Sequence, residues 1–139
     1  MKTKYSQLLK VKKQKVDTIE NEIAFLNSKK HIVENEIENI TDEINSIDKP
    51  KEGQFGTFLS ISYSFDTLFS LKKSKESVLQ EMENELSQKR DEYKIALMEY
   101  EKIKYLEELI IEQKLDKIKK DEQKLLDELS VVTYKRRTF

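Results

Sequence analysis

The chain has 139 residues, 38% of them charged and 37% hydrophobic, with two glycines, one proline, no cysteine and a net charge of −1. So few breakers exclude an α/β or all-β domain, whose turns draw on glycine and proline throughout. The missing cysteines exclude disulfides, thiol catalysis and cysteine-ligated metal. What remains is the composition of long helices or coiled coil, in a length that fits one domain.

Charge is unevenly spread. Residues 1–15 carry six lysines and no acid, residues 17–48 carry nine acids against two lysines, and the tail ends on Lys135, Arg136 and Arg137. Neither basic stretch is long enough to imply nucleic acid, and both read as solvated helix ends. No apolar run near the start resembles a signal peptide. The longest uncharged stretch, residues 53–65, has 13 residues, against about 20 apolar ones for a membrane span. A soluble, cytoplasmic protein without direct membrane insertion is the expectation.

Alternate steps of four and three from Tyr5 give Tyr5, Leu9, Lys12, Val16, Ile19, Ile23, Leu26, Lys30, Val33, Ile37, Ile40, Ile44 and Ile47, and eleven of these thirteen are apolar. A 3.5-residue repeat held over six heptads predicts a coiled-coil seam on a helix from about 3 to 48. Lys30 sits mid-seam, where a polar residue can fix register and partner choice at some cost in stability; the favoured expectation is that its stem packs while its ammonium reaches out to water. In "DKPKEGQFGTF", residues 48–58, lie the only proline and both glycines. Pro50, Gly53 and Gly56 are expected to end the helix and reverse the chain at about 49–56.

A second helix is predicted over about 57–133. Its seam runs through Leu79, Met82, Leu86, Tyr93, Leu97, Tyr100 and Ile103, with Lys89 or Arg90 as a gap. The phase shifts between Leu106 and Ile111, as at a stutter. "TFLSISYSF", residues 57–65, alternates like a strand, yet has no second strand to pair with. Helix or irregular structure fits it better. The fold class is therefore all-α: an antiparallel two-helix coiled-coil hairpin with a longer, overhanging second helix.

The unequal lengths, about 45 and 75 residues, leave about 30 residues of the second helix without an intrachain partner. That overhang still carries an apolar stripe: Ile111, Leu115, Ile118, Leu125, Leu129 and Val132. Burying such side chains is worth about 1.5–3 kcal/mol each. A bare stripe therefore reads as a binding surface, for another protein or for a second copy. Near the bend, Phe55, Phe58, Tyr63, Phe65 and Phe69 crowd five of the twelve aromatics into fifteen residues. They either cap the end of the hairpin or meet a partner.

Catalysis finds no support. Both glycines lie in the bend, so there is no phosphate-binding loop. His31 is the only histidine, so a histidine–carboxylate metal cluster is not possible, and it reads as a surface residue. Carboxylate pairs such as Glu107/Glu108 lack a pocket to tune them. No enzyme activity, cofactor or metal is expected.

"KDEQKLLDELS", residues 120–130, resembles the C-terminal signature of the FliJ family of bacterial flagellar export proteins. "EYEKIKYLEELI", residues 99–110, looks like the family's charged stretch with a leucine pair. "FDTLFSLKKSKESVL", residues 65–79, is similar to its phenylalanine–leucine segment, and "KYSQLLKVKKQKVD", residues 4–17, to its usual start. The resemblance implies a two-helix coiled coil similar to the central shaft of rotary ATPases. Its free helical end would enter the pore of the hexameric flagellar export ATPase. The region nearer the bend would contact the cytoplasmic domain of the membrane export gate, and export chaperones would be further partners. The protein would then be peripheral to the inner membrane at the flagellar base. Gln123, Asp127 and Glu128 match the signature and would meet the ATPase beside Ile111, Leu115, Ile118, Leu125 and Leu129. Phe65, Leu68 and Phe69 match the gate-contacting segment. The family's tyrosines on helix 1 have no counterpart beyond Tyr5, far from the bend. The alternatives are a self-associating structural coiled coil, the equivalent stalk of a virulence-type secretion system, and a prefoldin-like subunit. The last needs two strands that residues 50–70 do not supply.

Overall fold

The computed structural model describes residues 2–47 and 55–138. Two α-helices account for nearly all of them: α1, Ser6–Ser46, and α2, Phe55–Thr138. No strand occurs among the described residues. The helices pack antiparallel as a hairpin whose second helix is the longer. They contribute to two compact units, one of Asp17–Lys94 and one of Met1–Val16 with Ile95–Phe139.

Helix α1 starts where its free backbone donors find partners. The Tyr5 N–H donates to Thr3 Oγ1 at 3.1 Å, and the Thr3 N–H donates to Ser6 Oγ at 2.9 Å. Thr3 thus caps the helix through its side chain, and Ser6 reaches back to the Thr3 N–H as the third-position side chain of a capping box does. The heptad repeat then carries the helix. None of the thirteen seam positions from Tyr5 to Ile47 is exposed, so the apolar repeat is the packed face.

In the unit Asp17–Lys94, the core side chains are Ile19, Val33, Ile40 and Leu86, the last only 1% exposed. Three ion pairs cross between the helices: Glu22–Lys89 at 2.8 Å, Lys30–Glu83 at 3.8 Å and Glu36–Lys75 at 2.7 Å. The residue numbers of each pair add to 111 or 113, and a near-constant sum is the mark of an antiparallel register. Lys30 also lies 3.8 Å from Glu34. Its ammonium thus reaches acids on both helices as well as water. In the other unit, Val16 and Ala96 are buried. There Lys12–Glu99 at 2.9 Å and Ser6–Glu107 at 3.3 Å keep the same sums.

Several features of α2 differ from the sequence-based expectation. The helix begins at Phe55, so Gly56 lies inside it, with φ in the ordinary range and open space where a Cβ would stand. Gly56 is thus no part of a reversal; Pro50 and Gly53 lie outside the described residues. Residues 57–65 are helical. Ile61, Phe65 and Leu68 carry the four-three spacing on toward the start of α2 and are half-buried, so the helical period overrides the strand-like composition. Lys89, not Arg90, fills the seam gap, and Ala96, not Leu97, is the buried residue at its step.

Two of the cross-helix pairs shift a titration. The hydrogen bond to Glu22 raises Lys89, and the hydrogen bond from Lys12 lowers Glu99. A lowered carboxylate favours the folded state above its unfolded pKa, about 4.3, and that contribution disappears as pH falls through the lower folded value. A raised lysine favours the folded state below its unfolded pKa, about 10.4, and its contribution disappears as pH rises through the higher folded value.

Urea melts followed by circular dichroism should therefore give a plateau of stability near neutral pH that declines on both sides. Lys12→Glu should lower the midpoint at pH 7, and adding Glu99→Lys should restore it. Leu86→Ala should cost about 2–4 kcal/mol, as large-to-small changes at buried sites do. Leu115→Ala, on the exposed stretch, should stay within about 0.5 kcal/mol.

Candidate partner-docking surfaces

The seam on α2 ends near Glu107 and Ile110. Ser6, at the start of α1, donates its hydroxyl to Glu107 Oε1, while Glu107 Oε2 is buried without a hydrogen-bond partner. From Glu112 to Arg136 every residue is exposed. Leu115 is 50% and Leu129 53% accessible, and Ile118, Leu125 and Val132 are similar. Leu126, Val131 and Tyr134, absent from the sequence-based set, are exposed as well. They fall off the stripe, so periodicity did not single them out.

The stripe is not a continuation of the seam. Kept in phase, the seam would pass through Lys114, Lys117, Asp121, Lys124 and Glu128, all charged. The apolar stripe starts one residue later, at Ile111, and one residue is about 100° of rotation. The face that would continue the contact with α1 is charged, and the apolar face points elsewhere. This is the physical content of the stutter between Leu106 and Ile111.

The signature residues stand apart from the stripe. At about 100° per residue, Gln123 and Asp127 lie about 120° or more from the stripe's centre, and Glu128 about 100° to its other side. The Gln123 amide donates to Asp127 Oδ1 at 3.1 Å, so these two act together along the helix. Ile111, Leu115, Ile118, Leu125 and Leu129 share one face; Gln123, Asp127 and Glu128 occupy the others. Such a helix offers different chemistry on every side and suits a partner that surrounds it.

A second surface lies at the start of α2. Phe65 and Leu68 are half-buried seam residues, whereas Phe69 is exposed. The Phe65 and Phe69 rings stack with centroids 6.1 Å apart and planes 20° from parallel. Phe55, Phe58 and Tyr63 are exposed.

The remaining polar side chains form no reactive constellation. His31 is exposed, with Nδ1 4.0 Å from Glu34. Among the described residues, no group of three or more His, Asp or Glu is placed to hold a metal ion, and no helix is long and apolar enough to cross a membrane. Lys13 lies over the Tyr100 ring, 5.5 Å from its centroid, in a shallow groove with Leu9, Lys10 and Gln14.

The family model described as "Flagellar FliJ protein" matches residues 1–138. No curated protein and no solved structure matches the chain.

Amide hydrogen exchange should separate the two parts of α2. Amides beyond Glu112, held only by a lone helix, should exchange at least about a hundredfold faster than those of residues 82–96, which open only with the packed hairpin.

Proposed function

Because the chain belongs to the FliJ family, and so is a component of the flagellar export apparatus, we propose that it acts there as a stalk whose overhanging helix docks in the hexameric export ATPase and stimulates it. The observation that carries this reading is the bare, out-of-phase stripe beyond Ile110. Five large apolar side chains on it, from Leu115 to Val132, are about half exposed. Each would gain about 1.5–3 kcal/mol on full burial. The rotation of the stripe away from the seam supports a separate partner over a longer α1, since α1 in the same register would meet charge. Gln123, Asp127 and Glu128, on the remaining faces, suit the polar lining of an enclosing ring. Phe69, with Phe65 and Leu68 beneath it, would contact the cytoplasmic domain of the export gate. Export chaperones would be further partners, and the stalk would work in the cytoplasm at the inner-membrane face of the flagellar base.

The reading is tested with purified export ATPase. The full chain should bind it and raise its turnover. Leu115→Asp with Leu129→Asp should weaken binding by about a hundredfold, near tenfold for each leucine removed from a buried contact. A chain ending after Ile110 should neither bind nor stimulate; undiminished stimulation would refute the role of the overhang. Sedimentation equilibrium covers the competing occupant: a tight dimer lost on Leu115→Asp would assign the stripe to a second copy of the chain.

A further inference from the structure

The first turns of α2 carry a pattern that the stalk reading does not use. Residues 55–65, FGTFLSISYSF, hold no charged side chain, in a chain that is 38% charged. At about 100° per residue, Phe55, Phe58 and Leu59 share one face with Ser62 among them, Tyr63 borders it, and Thr57, Ser60 and Ser64 lie opposite. Phe55 and Tyr63 are each 75% accessible, and Phe58 and Leu59 are exposed too. The register of this unit sets Ser46, the last residue of α1, level with about residue 66 of α2. These turns thus lie past the end of α1. The Ser64 hydroxyl donates to the Ser60 carbonyl at 3.1 Å, and Thr67 Oγ1 to the Tyr63 carbonyl at 2.9 Å.

Charge discriminates among occupants. The overhang stripe is flanked by Lys117, Lys119, Asp121 and Glu122, charges that a protein surface can pair. Residues 55–65 offer no charge to pair, and hydrocarbon demands that absence. Each ring that enters an acyl layer gains individually.

We propose that residues 55–63 are an interfacial seat for a lipid bilayer. Phe55, Phe58 and Leu59 enter between loosely packed acyl chains, and the Tyr63 hydroxyl stays at headgroup level. The Ser/Thr face stays toward water, and the attraction does not depend on anionic lipid. The seat is shallow: no described helix is long and apolar enough to cross the membrane.

The test is flotation of the full chain with small phosphatidylcholine vesicles, with and without phosphatidylglycerol, at low and high salt. The chain should float with both lipids at both salts. Phe55→Ser with Phe58→Ser should lower partitioning by about a hundredfold, near tenfold per ring, with helix content unchanged because both rings are exposed. Phe58→Trp, in a chain without tryptophan, should shift its emission to the blue on vesicle addition. Leu115→Asp with Leu129→Asp should float as the unaltered chain does, which separates this outcome from the fate of the stalk reading. Absence of flotation overturns the proposal. So does binding that needs phosphatidylglycerol, vanishes at high salt and survives the double serine change. Capture of the gate's soluble domain that is lost in the double serine variant, without vesicle binding, also overturns it and assigns the face to a protein.

Discussion

The structure depends on lysines placed on a hydrophobic seam. Lys12, Lys30, Lys75 and Lys89 occupy seam positions, and each reaches a glutamate on the other helix. Apolar contacts alone would tolerate a slip of one heptad, since the repeat looks the same every seven residues. The lysines do not. A seven-residue slip one way sets Lys75 and Lys89 against Lys29 and Lys15. The opposite slip sets Lys30 against Arg90 and Lys89 against Lys29. Surface ion pairs contribute little to stability, but here they discriminate among registers that the apolar repeat leaves nearly equal.

Register in turn decides which residues stay uncovered. With Ser6 level with Glu107, α2 outruns α1 by more than twenty residues, and the stripe from Leu115 to Val132 remains bare. The phase shift near Ile111 adds a second constraint. It turns the stripe about 100° from the seam, so the helix changes its apolar face at the point where its intrachain partner ends. A hairpin with only six buried apolar side chains among the described residues has little core of its own. Much of its apolar surface stays exposed.

The two ends of α2 use different chemistry. At the overhang, apolar side chains alternate with charges of both signs, as suits contact with protein. At the tip, aromatic rings stand among serine, threonine and glycine with no charge at all, as suits hydrocarbon. Family membership places the chain in the flagellar export apparatus.

Much of this was legible in the chain. The helical class, the seam on α1, the solvated His31, the stutter and the excess length of the second helix all follow from local periodicity and from the scarcity of breakers. Other features were not legible. Gly56 looked like part of the bend and is helical. Residues 57–65 looked partly like a strand and are helical. Leu97 looked like the buried step and Ala96 is. Periodicity belongs to a few neighbouring residues and survives in a linear reading. Which face is covered depends on the alignment of side chains as far apart in sequence as Ser6 and Glu107, and that alignment exists only once the two helices have met.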